Sequence, residues 1–134
     1  MLFFFAIALL SGCSQRLPEY LIHPTKDDVP VLITILEQGE WIEKTYAADA
    51  LYELGTDGKE AVPALISLLN HERWNVRLSA AGALGEMRGF AKDALPKLRE
   101  IAANDPFSED YPTGGKKFPV RIIAKAAIAK INES

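Results

Sequence analysis

The sequence predicts an all-α protein: a short α-solenoid of about three helical hairpins packed side by side. Residues 29–61 align with residues 62–94 without gaps at a shift of 33, and 13 of the 33 aligned positions are identical. Within each copy the apolar residues recur at helical spacing. A proline also stands near the start of each copy, at Pro30, Pro63 and Pro96. Internal repetition at this period is typical of stacked hairpins.

The first half of each copy predicts an amphipathic helix. In the second copy, Val62, Leu65, Ile66 and Leu69 lie at positions i, i+3, i+4 and i+7, which is one helical face. Proline is tolerated in the first turn because its missing N–H has no partner there. The expected N-caps of these helices are Asp28 and Asp93, since a carboxylate can accept the free N–H groups of the first turn.

The second half of each copy predicts another helix. Its apolar face in the second copy consists of Val76, Ala80, Ala83, Leu84 and Met87. Asn75 is the expected N-cap, while Gly55 and Gly89 are expected to end second helices in the left-handed conformation. Alanines at one register, Ala47, Ala80 and Ala124, would let neighbouring helices approach closely. Since one hairpin cannot bury both apolar stripes, neighbouring hairpins must share a core.

The third copy, residues 95–132, carries an insertion. Residues 120–131 align with residues 76–87 at a shift of 44, so this copy is eleven residues longer than the others. The insertion lies near residues 105–117, and Phe107, Tyr111 and Phe118 stand among its prolines and glycines. A loop of this length predicts either a functional segment or a lid whose aromatic rings cover the open end of the stack.

The N-terminal segment predicts where in the cell the protein is located. Residues 1–10 are uncharged and apolar. This run has half of the roughly 20 residues that a membrane-spanning helix needs, so it is too short to span a bilayer. Leu10, Ser11, Gly12 and Cys13 resemble the lipobox of bacterial lipoproteins. The resemblance implies a signal peptide at residues 1–12 and lipidation of Cys13, although the first basic residue, Arg16, lies after the expected cleavage site. Alternatively, residues 1–13 form a buried helix with an inert thiol, and the protein is cytoplasmic.

The lipobox resemblance also defines the organisation of the chain and its location. Residues 13–27 would be a lipidated tether, with Tyr20, Leu21 and Ile22 packing onto a repeat domain that spans residues 28–134. The implied location is the bacterial cell envelope, at the outer membrane or the periplasmic face in a Gram-negative cell.

The repeats resemble a known family. The pattern V-P-x-L-I-x-L-L at Val62–Leu69, followed by V-R-x-x-A-A-x-A-L-G at Val76–Gly85, resembles HEAT repeats, most closely the short type found in phycobilisome (PBS) lyases. The resemblance implies a non-enzymatic scaffold that binds a protein partner. The alternatives are a cytosolic HEAT-repeat adaptor and a subunit of a phycobilin-lyase-like enzyme.

No pattern in the sequence predicts catalysis, a metal or a cofactor. Neither His23 nor His71 has a metal-ligating residue at a typical spacing, and Gly114–Lys117 lacks the spacing of a phosphate-binding loop. The 15 basic and 18 acidic residues are spread along the chain, and the net charge is −3. Nucleic acid is therefore not an expected partner.

Two registers predict contacts with a protein partner. Lys44, Arg77 and Arg121 share one register and would form a basic ladder; in HEAT repeats such an arginine usually pairs with a carboxylate of a neighbouring repeat, and the alternative is an acidic partner. The tryptophans of the first two copies also share a register, where an aromatic ring packs between hairpins or anchors a partner. The candidate partner-binding residues are Trp41, Trp74, Lys44, Arg77, Arg121, Phe107, Tyr111 and Phe118.

Overall fold

The computed structural model describes residues 17–133, which fold into three helical hairpins in chain order. The all-α solenoid predicted from the repeats is confirmed, with a two-stranded hairpin added in the third repeat. The α-helices are α1 (Glu19–Ile22), α2 (Val29–Gln38), α3 (Trp41–Leu54), α4 (Val62–Leu68), α5 (Trp74–Glu86), α6 (Leu95–Asn104) and α7 (Pro119–Asn132). The strands are β1 (Glu109–Asp110) and β2 (Lys116–Lys117), and 3-10 helices span Lys26–Asp28, Gly55–Ala61 and Arg88–Ala94.

The second helices form the spine of the stack. Helix α5 packs between α3 and α7, while α2, α4 and α6 each pack on the second helix of their own repeat. The predicted face of α5 is buried, with Val76, Ala80 and Met87 all 0% exposed. In the second repeat, Leu65 of α4 and Leu69 at its C-cap are buried, and Ile66 packs against the core from its edge. The shared core thus runs through all three hairpins.

The three predicted side-chain caps do not form. At the first helices, α2 and α6, a 3-10 turn leads directly into the helix. The Asp28 carboxylate accepts hydrogen bonds from the N–H and hydroxyl of Thr25, both at 2.8 Å, and caps the preceding 3-10 helix. Asp93 lies inside the 3-10 helix that precedes α6. Asn75 is the second residue of α5, whose N-cap position is taken by Arg73. Asp28 does occupy the predicted N-cap position of α2, although its carboxylate accepts no hydrogen bond from that helix. The predictions of Asp93 and Asn75 as N-caps are wrong.

The second helices of the first two repeats end at equivalent positions with a residue of positive φ, and in the second repeat that residue is not the expected glycine. Gly55 ends α3 with φ +56°, as the sequence predicts. Its equivalent in the second repeat is Arg88, which also has φ +56°. The prediction of Gly89 at this position is wrong by one residue. An L-residue at positive φ is strained because its Cβ approaches the backbone.

Replacing Arg88 with glycine is expected to stabilise the protein by about 0.5–1 kcal/mol, because relief of strain exceeds the greater entropy of glycine in the unfolded chain. The ion pair lost, Arg88–Glu133 at 3.7 Å, is solvent-exposed and contributes little. The melting temperature should rise by about 3–6 °C. The reciprocal Gly55→Ala is expected to lower it. A higher melting temperature for Gly55→Ala than for Arg88→Gly would contradict this interpretation.

The segment before the first repeat is attached to the stack. Helix α1 packs against α3, and Tyr20 and Leu21 lie against the core. Ile22 is 45% exposed, so the expectation that it packs onto the domain is wrong. Burial, with a contribution from Glu43, raises the pKa of Tyr20. The expected signal peptide and Cys13 lie outside the described residues. Within residues 17–133, no helix has the length and apolar character required to cross a bilayer.

Candidate partner-binding groove at the third repeat

A buried carboxylate joins the second repeat to the third. Arg77 Nε and Nη2 donate to the two carboxylate oxygens of Asp105 at 2.6 and 3.0 Å. The side chains are only 12% and 2% exposed, respectively. Arg77 Nη1 also donates to the carbonyl oxygens of His71 and Glu72, both at 2.9 Å. Because a bidentate pair fixes both side chains, this contact holds the end of α6 against α5.

The same aspartate fixes the start of the inserted segment. The N–H of Phe107 donates to Asp105 Oδ1 at 3.1 Å, and Arg121 Nε donates to the Asp105 carbonyl oxygen at 2.7 Å. The Arg121 guanidinium also lies 4.1 Å from the centroid of the Phe118 ring. Both ends of the insertion are thereby tied to Asp105. This residue was not predicted from the sequence, although an aspartate followed by proline directly after a helix marks such a helix end.

Aromatic rings connect successive repeats at the turns. Trp74 and Phe107 are parallel and stacked, with centroids 4.1 Å apart and planes 5° apart. Phe107 follows Trp74 by one repeat period, just as Trp74 follows Trp41. The Arg73 guanidinium covers the ring of Trp41 at 4.9 Å. Phe107 thus occupies the position of a repeat residue, and the additional residues of the third copy follow it.

Those additional residues form a short hairpin. Glu109 pairs with Lys117 and Asp110 with Lys116 in an antiparallel register. The N–H of Tyr111 donates to the carbonyl oxygen of Gly115 at 3.0 Å, which closes the turn. Gly114 and Gly115 have φ values of +89° and +98°, a region that favours glycine. Residues of this hairpin line a groove together with residues of α6 and α7.

A groove of about 660 Å³ lies between this hairpin, α6 and α7. We call it the basic groove. Five of its lining residues are basic: Arg99, Lys116, Lys117, Arg121 and Lys125. The aromatic rings of Tyr111 and Phe118 and the side chains of Ala102, Ala103, Ile122 and Ile128 complete it. It therefore combines positive charge with an apolar surface.

The groove is lined by positive charge, whereas the chain as a whole has a net charge of −3. The first repeat has seven acidic and two basic residues, a net charge of −5, whereas the third has four acidic and seven basic, a net charge of +3. No acidic residue lines the groove in the part of the chain that the structure describes. Within residues 17–133, Arg99, Lys116, Lys117 and Lys125 make no ion pair within 4.0 Å. The nearest carboxylates along the hairpin are the cross-strand partners Glu109 and Asp110.

Comparison with known proteins establishes the family. A model of HEAT repeats matches residues 29–110, which is more than half of the chain. The chain belongs to the HEAT-repeat family. Members of this family generally mediate protein–protein interactions and are typically non-enzymatic scaffolds. Neither the curated proteins nor the solved structures gave a match.

The HEAT stack separates the eight candidate partner-binding residues into three places. Tyr111, Phe118 and Arg121 line the basic groove. Arg77, Trp74 and Phe107 are engaged between the second and third repeats. Trp41 is half-buried beneath Arg73, and Lys44 lines a second groove between the first and second repeats. Lys44, Arg77 and Arg121 thus share a register but do not form one continuous basic surface.

The second groove is mixed in charge and is the weaker candidate. Glu37, Lys44 and His71 line it together with apolar residues of α2 and α4. Burial, reinforced by Lys44, lowers the pKa of His71 and so favours the neutral imidazole. The neutral ring is consistent with His71 Nδ1 accepting the N–H of Arg73 at 3.1 Å. The described residues contain no cluster of three or more His, Cys, Asp or Glu side chains that could hold a metal.

Proposed function

We propose that this HEAT-repeat protein is a non-enzymatic binding module that holds a protein partner at its third repeat. We also propose that a lipid on Cys13 anchors the protein in a bacterial envelope membrane. The observation that carries the binding function is the basic groove, an open concave surface at one end of the stack. Large apolar groups such as Ile122, 54% exposed, face solvent there. Exposed apolar groups beside charged ones are typical of interaction sites.

The frame around the groove supports a binding function. The Arg77–Asp105 pair, the Trp74–Phe107 stack and the Arg121 contact hold the groove's supporting elements in place. A preorganised surface loses less conformational freedom on binding than a mobile one. The third repeat is therefore suited to recognising a partner without first having to fold.

The membrane anchor is proposed from the sequence and from the position of α1. The Leu-Ser-Gly-Cys motif follows a run of apolar residues, and two or three acyl chains on one residue give stable membrane attachment. Helix α1, which follows the expected tether, packs on the first repeat, whereas the groove lies in the third. Helix α1 and the proposed binding surface thus lie at the first and the third repeat, respectively. In a Gram-negative host, Ser14 after the cysteine favours the outer membrane.

Mass spectrometry of the protein from its native host tests the anchor. The mature chain is expected to begin at Cys13, with residues 1–12 removed and acyl chains added. Cys13→Ala should block both steps and accumulate the precursor, since the thiol is the acceptor. A wild-type chain that retains residue 1 and a free thiol would refute the anchor and leave the cytoplasmic adaptor.

Partner capture in crosslinked membrane extract tests the binding function. A shortened chain, in which two glycines replace residues 110–116, is the informative variant. Because Glu109 and Lys117 are cross-strand partners, this joint should leave α6 and α7 in place. We expect the full-length protein to retain a specific partner and the shortened chain to lose it. Equal recovery from both, with circular dichroism unchanged, would exclude the hairpin from the binding surface.

A further inference from the structure

We infer that the basic groove binds an acidic, extended segment of the partner, with carboxylates on Lys117 and Lys125 and an apolar side chain against Ile122. This inference deepens the proposed function and rests on it. It specifies the chemistry of the partner: a segment rich in Asp and Glu with a hydrophobic residue among them.

The cationic groups of the groove are available for such a ligand. Lys116, Lys117 and Lys125 are exposed, and the described residues hold no carboxylate within 4.0 Å of their ammonium groups. Arg121 is oriented by Asp105 and Phe118 at the base of α7. Several like charges around one concavity raise the local potential, and an acidic ligand lowers it on binding.

The apolar groups make the groove more than a charged surface. Ile122 and Tyr111 are 54% and 49% exposed, and both line the same groove. An apolar side chain of the partner would remove both from water. A purely acidic polymer would leave this surface uncovered, so the arrangement favours a peptide of mixed character.

The first repeat makes other occupants less suitable. Its net charge of −5 repels an acidic segment and directs it toward the third repeat. A second copy of the chain could present the same acidic repeat to the groove, but the carboxylate of Glu43 in that repeat is already engaged, because its Oε2 accepts the N–H of Glu40 at 2.8 Å. Tyr20 and Leu21 also cover part of that end. A flexible partner segment meets neither obstacle.

Fluorescence anisotropy with the purified full-length protein in detergent tests this inference. The probe is a labelled twelve-residue peptide of Glu and Asp with one central Phe, and the reference probe replaces every acid by Lys. The groove variant is Lys117→Gln/Lys125→Gln. The matched control, Lys26→Gln/Lys92→Gln, removes the same charge from exposed positions elsewhere. We expect the acidic peptide to bind at least about fivefold more weakly to the groove variant, and within about twofold of wild type to the control. Binding should also weaken as salt increases.

Several outcomes would overturn the inference. Equal affinity of the groove variant and the wild type would do so, as would equal affinity for the acidic and basic peptides. Binding to phosphatidylglycerol vesicles without binding to the peptide would assign the groove to a lipid surface instead. Self-association that the groove variant abolishes, without peptide binding, would assign it to a second copy.

Partner capture with the same two variants separates this inference from the proposed function. If the groove variant loses the partner and the control keeps it, both stand. If the groove variant still captures the partner, the groove inference fails while the binding function stands. If no form captures a partner but the peptide still binds, the proposed function fails while the chemistry assigned to the groove stands.

Discussion

Replacing Asp105 with alanine is expected to lower the free energy of unfolding by about 3 kcal/mol, because Arg77 would remain largely buried without its carboxylate. The substitution also removes the acceptor of the Phe107 N–H. The two carbonyl contacts of Arg77 remain, which keeps the expected loss at the lower end of the range for a broken buried pair. Urea unfolding followed by far-ultraviolet circular dichroism measures the effect.

An exposed ion pair supplies the control for this prediction. Lys97 and Glu100 pair at 2.9 Å on the surface of α6, with Glu100 60% exposed. Glu100→Ala is expected to change stability by less than about 0.5 kcal/mol. If the two alanine variants unfold at the same urea concentration with equal slopes, Asp105 does not connect the repeats as described.

Asp105 also affects the groove indirectly. Its backbone carbonyl orients Arg121, and its carboxylate fixes the start of the insertion.

Asp105→Asn offers a milder change than Asp105→Ala, since the amide oxygen still accepts a hydrogen bond but the charge is lost. We expect it to destabilise the protein less than Asp105→Ala does. Intermediate stability would therefore separate the charge of Asp105 from its role as an acceptor.

The repeat pattern predicted the hairpins because local and long-range requirements coincide in them. Val76, Ala80 and Met87 have helical spacing in the sequence, and the same spacing places them in the shared core. The register of Trp41 and Trp74 was equally visible, since a residue that contacts the next repeat must recur once per repeat. Such positions are determined by the period itself.

The site could not be predicted in the same way, because its residues meet only through the fold. The HEAT resemblance implied that Arg77 pairs with a carboxylate of a neighbouring repeat, but nothing in the local sequence of either residue specifies Asp105 as that carboxylate. Arg88 shows a related difficulty: the position demands positive φ, but the neighbouring Gly89 is the residue that sequence rules favour. Arg99 and Lys125 belong to different helices, and only the packing of α6 on α7 brings them to one groove.

The alanines at one register of the second helices predicted that these helices approach closely. At Gly85, helix α5 lies especially close to the backbone of α7. A Cβ atom at Gly85 would lie 2.9 Å from the Cα of Ala127 and 3.0 Å from its Cβ. The obstacle is backbone, so α5 and α7 would have to separate to admit it. Since these helices form the spine between the second and third repeats, a shift there disturbs the core on both sides.

Gly85→Ala is therefore expected to destabilise the protein by about 2 kcal/mol, although alanine is the better helix former by about 1 kcal/mol. The control lies in the same helix, about one turn earlier. A Cβ at Gly82 would meet the ring of Tyr52 at 3.4 Å and Ile123 at 3.7 Å, both side chains that can adjust. Gly82→Ala is expected to stabilise the protein by about 0.5–1 kcal/mol. Opposite shifts of the urea midpoint would show that close contact between α5 and α7 holds the last repeat in place. A stabilising Gly85→Ala would mean that these helices are farther apart than the structure places them.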